Sequence, residues 1–174
     1  TDGSLSAKSQ YYYTGFGHKV INYYDNKGLL RSQRVYDSNG TLTAETTNSY
    51  EDNNNPCRPT RIDEYFDNRH RVTEISYDNR GNMLTKNGYN ANDTSERKYE
   101  VYSWHTSYNL PESQTTWQIN GDNSTAVRSV NVYGLADGTI SANAEENIYL
   151  VQQKTMLDCV SDPNNGIFAT TYYT

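Results

Sequence analysis

Tyr24-Asp25-Asn26-Lys27-Gly28, Tyr36-Asp37-Ser38-Asn39-Gly40 and Tyr77-Asp78-Asn79-Arg80-Gly81 are three copies of one pattern, Tyr-Asp-x-x-Gly, and their reading decides the fold. An Asp at the first turn position hydrogen-bonds the backbone two residues on, and a Gly at the end of the turn accepts the positive φ with which the chain reverses. Each copy therefore predicts a hairpin. Phe66-Asp67-Asn68-Arg69-His70 keeps the aromatic and the Asp but lacks the Gly, and Tyr50-Glu51-Asp52-Asn53 and Tyr89-Asn90-Ala91-Asn92 are weaker copies. The steps Tyr24 to Tyr36, Phe66 to Tyr77 and Tyr77 to Tyr89 are 12, 11 and 12 residues, which leaves room for one short strand between turns.

The runs between the turns, Lys19–Tyr24, Leu29–Tyr36, Arg61–Phe66 and Arg71–Tyr77, are rich in β-favouring residues. Asn/Asp/Gly clusters interrupt each before a helix of two or three turns can form. Beyond Ser95 the motif fades, but strands are still expected over Lys98–Tyr108, Ser113–Ile119, Ala126–Tyr133, Asn147–Gln153 and Ile167–Tyr173. Ala142–Glu146 is the one stretch where a short helix competes. The expectation is an all-β fold, an antiparallel meander of repeated short hairpins in a twisted open sheet or sandwich. It is read as a single domain over 1–174, with hairpin repeats over 18–90 and diverged strands over 95–174.

Composition bounds the core and the partners. Leu, Ile, Val and Phe number 28 of 174 residues, fewer than a globular core ordinarily draws on, while 17 Tyr and 2 Trp supply rings that bury area and keep a polar tip wet. The polar side is led by Asn, Thr and Ser, and the net charge is −6 without a basic stripe, which argues against nucleic acid as partner. No apolar run approaches the roughly 20 residues of a membrane-spanning helix. Residues 1–10 lack the apolar segment of a secretory signal, so residue 1 reads as a processed or trimmed start. The polar, uncharged surface suits a secreted, periplasmic or cell-surface protein.

The run Arg71-Val72-Thr73-Glu74-Ile75-Ser76-Tyr77-Asp78-Asn79-Arg80-Gly81-Asn82-Met83-Leu84 resembles a YD repeat, the unit of the RHS-like YD-repeat proteins of bacteria and related eukaryotic cell-surface proteins. The likeness covers roughly residues 18–90. In size the chain is more similar to the small YD-like extracytoplasmic proteins of Bacteroidetes. In large members the repeats spiral into a β-shell or an adhesive surface, and this chain is too short to close a shell. The Asp162-Pro163 pair is only superficially similar to the self-cleavage signature of those shells, and no catalytic role carries over. The resemblance implies an outer-surface or periplasmic location, not an activity.

The residues themselves show no enzyme signature. His18, His70 and His105 lie far apart without metal-ligand spacing and read as surface or turn residues, and no zinc-protease, phosphate-loop, Gly-x-Ser-x-Gly or dinucleotide motif occurs. Asp63/Glu64 and Glu145/Glu146 are adjacent, and neighbours on a strand point to opposite faces, so neither pair flanks one glycosidic bond; solvated edge charges are expected instead. The Asp-Asn turns lack calcium-loop spacing, and no cofactor is expected. Cys57 and Cys159, in polar settings near prolines, are expected to form a disulfide closing 102 residues, the alternative being two unrelated loop thiols.

Two further features bear on partners. Tyr102, Trp104 and Tyr108 fall on one face at period two, with Trp117 on the next strand; they form either a platform that stacks on sugar rings or simply the aromatic core. Gln10–Tyr13 and Ile167–Tyr173 are strand-like ends that either close the sheet within the chain or pair with a neighbouring copy. The function expected is a non-catalytic adhesion or scaffold module of the YD-repeat type. A glycan-binding module and a self-assembling surface or filament subunit are the alternatives.

Overall fold

The computed structural model describes residues 6–13, 17–121, 123–157 and 167–173. Twelve strands account for most of them: β1 Ser6–Tyr13, β2 His18–Tyr24, β3 Leu30–Tyr36, β4 Leu42–Ser49, β5 Arg61–Phe66, β6 Arg69–Tyr77, β7 Met83–Asn90, β8 Asp93–Trp104, β9 Pro111–Asn120, β10 Asn123–Gly134, β11 Tyr149–Leu157 and β12 Ile167–Tyr172. They follow one another in the sheet in chain order, an antiparallel meander. The chain groups into two compact units, Thr1–Ile75 with Gly88–Thr94, and Ser76–Asn87 with Ser95–Thr174. Two of the full motif copies, at Tyr24 and Tyr36, fall in the first unit and the third, at Tyr77, in the second. The helix that competes over Ala142–Glu146 is one turn of 3₁₀, Ala144–Glu146, with Asn143 as its N-cap.

The Tyr-Asp-x-x-Gly turns share one geometry. In the first, Gly28 N–H donates to the Asp25 carbonyl (3.0 Å) and Asp25 N–H to the Leu29 carbonyl (3.0 Å). Asp25 Oδ1 accepts from both Lys27 N–H and Leu29 N–H, each 2.9 Å. Asp37 repeats the set with Asn39 and Thr41, and Asp78 with Arg80 and Asn82. Gly28, Gly40 and Gly81 have φ of 82°, 82° and 81°. This is a tight turn followed by a left-handed residue and a one-residue bulge, and the register slips at the motif aromatic, between Tyr23 and Tyr24 and again between Val35 and Tyr36.

Two further turns follow the same plan without the full motif. Leu135 stands where Asp would, with Gly138 N–H to the Leu135 carbonyl at 3.0 Å and Gly138 at φ 84°. Trp104-His105 replaces Tyr-Asp, and His105 Nδ1 accepts from Ser107 N–H at 3.1 Å as the Asp carboxylate does elsewhere. That turn ends β8 at Trp104, so the strand expected to reach Tyr108 stops four residues short. Phe66-Asp67-Asn68-Arg69 turns differently: Asp67 (φ 48°) and Asn68 (φ 60°) are both left-handed, the two-residue turn that Asn and Asp tolerate, and no Gly is required. Tyr50-Glu51-Asp52-Asn53 opens the long connection between β4 and β5 rather than a hairpin turn.

Few of the fully buried residues are apolar. Among the described residues Val72, Ala126 and Met156 are the buried hydrophobic side chains, against ten buried polar or charged ones. In the second unit Ala126 and Met156 pack with Trp117 and Val130. In the first, Val72 is fully buried and lies opposite Asp63. The terminal strands pair within the chain, β1 with β2 and β12 with β11.

Candidate functional site

The four residues read as an aromatic platform do not share a surface. Register pairs Tyr99 with Trp117 and Tyr102 with Gln114, so Trp117 lies on the face opposite Tyr102. Trp117 instead joins the apolar cluster of its unit, its ring 5.6 Å from that of Tyr99. Trp104 is half-buried and donates its indole N–H to the Met83 carbonyl at 2.8 Å. Tyr108 has left the strand and sits in the following turn, its ring 5.3 Å from His105. Arg80 fixes that turn by donating to the carbonyls of His105, Thr106 and Tyr108. For Trp117 the core reading holds, because two residues directly opposite across antiparallel strands share a face and that face carries Ala126.

The motif residues are likewise spent on structure. Both backbone amides bonded to each motif Asp saturate its Oδ1. In Asp25 the Leu29 amide is the strongest influence holding the carboxyl below the ordinary range, against its desolvation. Cys57 is exposed in the β4–β5 connection, and Cys159 lies outside the described residues.

A more organised cluster lies on β5 and β6 of the first unit. Alternation puts Arg61, Asp63 and Tyr65 on one face of β5, opposite Glu74, Val72 and His70 of β6. Arg61 donates to Asp63 through Nε (2.7 Å) and a terminal nitrogen (2.9 Å), a two-pronged pair. Asp63 is held below its ordinary pKa first by Arg61 and then by His70, against its burial. It is therefore an acceptor, and His70 Nε2–H donates to it at 2.7 Å. The imidazole lies flat on Tyr65, ring centres 4.2 Å apart at 20°.

Two expectations are corrected here. Asp63 is not a solvated edge charge but a buried residue on an interior strand, since β4 and β6 flank β5 on both sides. His70 is a half-buried strand residue rather than a turn residue, held by Asp63 and Tyr65 at the edge of the groove; His105, in a turn as expected, is buried. The Asp63/Glu64 pair does split between faces, Asp63 opposite Thr47 and Glu64 opposite Thr46.

Across β4, Glu45 stands directly opposite Tyr65, and its carboxylate takes hydrogen bonds from Ser32 (3.0 Å) and Arg34 (2.9 Å). The start of β4, the β5–β6 turn and Asn92 enclose an open groove into which Tyr65 and His70 project beside Glu45, Asn68 and Arg69. Tyr65 is 42% exposed although one ring face rests on His70. Sequence reasoning missed this cluster. The available signal was the period-two order Arg61-x-Asp63-x-Tyr65 followed five residues on by His70, across the two-residue Asp67-Asn68 turn, which is interpretable only once the register is known.

No protein-family model, curated protein or solved structure matches the chain. The class it defines is therefore set by its own geometry: an all-β antiparallel hairpin meander.

Proposed function

We propose that the chain is a non-catalytic, extracytoplasmic adhesion or scaffold module of the YD-repeat kind. The observation that supports this reading is the recurrence of one turn, with the same Asp-to-backbone bonds and the same left-handed Gly, in the three Tyr-Asp-x-x-Gly copies. A repeated, self-satisfied turn spends its polar groups on presenting strands. The side chains left to meet a partner are those of the strand faces and of the groove beside Tyr65.

The test is binding without turnover. Full-length protein immobilised on beads is offered outer-surface extracts and extracellular matrix, and the eluted ligand is compared by mass with its starting form. Saturable retention of an unaltered ligand is the expected result. Conversion of the ligand, or residence of the native protein in the cytosolic fraction, overturns the reading.

A further inference from the structure

We propose that the groove beside the β5–β6 hairpin binds one pyranose ring of a neutral saccharide, stacked on the exposed face of Tyr65. The proposal deepens the binding half of the reading above and rests on it. Tyr65 presents a flat ring, and the ring is held from behind. His70 lies parallel at 4.2 Å, His70 is fixed by its 2.7 Å bond to Asp63, and Asp63 is clamped by Arg61. The hairpin below it is a tight two-residue turn with both central residues left-handed. A ligand meeting this ring loses little free energy to ordering it.

The chemistry of the rim narrows the ligand class. The face of a tyrosine ring carries the negative part of its quadrupole and attracts the C–H bonds that line one side of a pyranose. Around it stand Asn68 and Asn92 and the opposed charges of Asp67 and Arg69, while Glu45 is already paired with Arg34. Such a rim offers both donors and acceptors to hydroxyl groups. With a carboxylate and a guanidinium both present, it favours no strongly charged ligand. An aromatic ring with mixed hydrogen-bonding groups at its edge matches a polyhydroxylated neutral ring better than a phosphate, a sulfate or a cation.

The experiment screens full-length protein against an array of neutral hexose and N-acetylhexosamine oligosaccharides, then titrates the best binder in solution by calorimetry. Tyr65→Ala is expected to weaken binding by about tenfold or more, and Tyr65→Phe, which keeps the ring, by less than about threefold. His70→Ala, a positioning change, is expected to lower affinity while the strand signal in circular dichroism stays unchanged. Should Tyr65→Ala fail to fold, the Phe variant and saturation-transfer NMR from ligand C–H groups to the Tyr65 ring decide the question. Binding that survives Tyr65→Ala in folded protein overturns the site and leaves the module reading intact. Cleaved oligosaccharide overturns the non-catalytic reading and leaves the site intact. An array with no neutral saccharide bound overturns the site.

Discussion

Replacing Gly40 by alanine isolates what the turn demands of the backbone alone. Gly40 has φ +82°, and a Cβ built there meets nothing within 4 Å, so no neighbour has to move. The cost is then the left-handed conformation itself, about 1–2 kcal/mol for an L-residue. About 0.4–1 kcal/mol is offset because alanine also restricts the unfolded chain. The net expectation is a loss of about 1 kcal/mol, or about 2–4 °C in Tm for a chain of this size. Gly28, with the same φ and the same empty surroundings, should give the same loss. Gly40→Asn should lose less, since Asn tolerates the left-handed region. Gly134→Ala should fail for a different reason: its Cβ would overlap the Thr139 carbonyl oxygen, and the overlap displaces the turn. Urea unfolding followed by circular dichroism measures all four. If Gly28→Ala and Gly40→Ala are both neutral, or if Asn is as costly as Ala, the backbone argument is wrong.

Acid should destabilise the fold in a definite window. Asp25 and Asp63 are both held below their ordinary pKa, so the stability they contribute is complete above about pH 4 and is lost as pH falls through their folded values. Urea midpoints from pH 7 to pH 2 should fall only below that point; a rise on acidification would contradict the assignment. Asp25→Asn, which retains the Oδ1 acceptor but not the charge, should flatten the slope. Asp63→Ala removes the acceptor of both Arg61 and His70 and should cost about 1–2 kcal/mol, the lower part of the range for charged hydrogen bonds because Arg61 can rehydrate. Equilibrium unfolding of the variant checks this, and an unchanged midpoint would show that the cluster contributes no stability. The Cys57–Cys159 disulfide should appear in non-reduced protein as a mass lower by two hydrogens. Two alkylated thiols in oxidised material would refute it.

The turns were legible in the sequence because their chemistry is local. An Asp and a Gly three residues apart determine nearly every bond of the reversal, and all three Gly positions have the expected φ. Strand β5 was legible at both ends, Arg61–Phe66. Leu42–Ser49 was not recognised, being Thr-rich and apolar at one end only, yet it forms β4 by pairing on both sides. The loop Gly134–Gly138 was legible as a loop but not as a variant of the motif turn, because Leu135 carries no carboxylate, and the turn at His105 was missed because a ring nitrogen takes the carboxylate's place. The candidate site was the least legible part. Whether Tyr102 and Trp117 share a face, or Tyr65 and His70 touch, depends on register, which composition and spacing along one strand do not carry.

The scarcity of fully buried apolar residues has a thermal consequence. Exposure of apolar surface raises the heat capacity on unfolding, and exposure of polar surface lowers it. A fold whose described buried residues are mostly Asn, Asp, Ser, Thr, Glu and His, with Val72, Ala126 and Met156 as the apolar exceptions, should change heat capacity by less than the about 12–15 cal/mol/K per residue usual for globular proteins. Its stability curve is then shallow. Cooling then removes little of its stability and cold denaturation recedes to low temperature, so the fold keeps nearly the same stability over a broad range of temperatures.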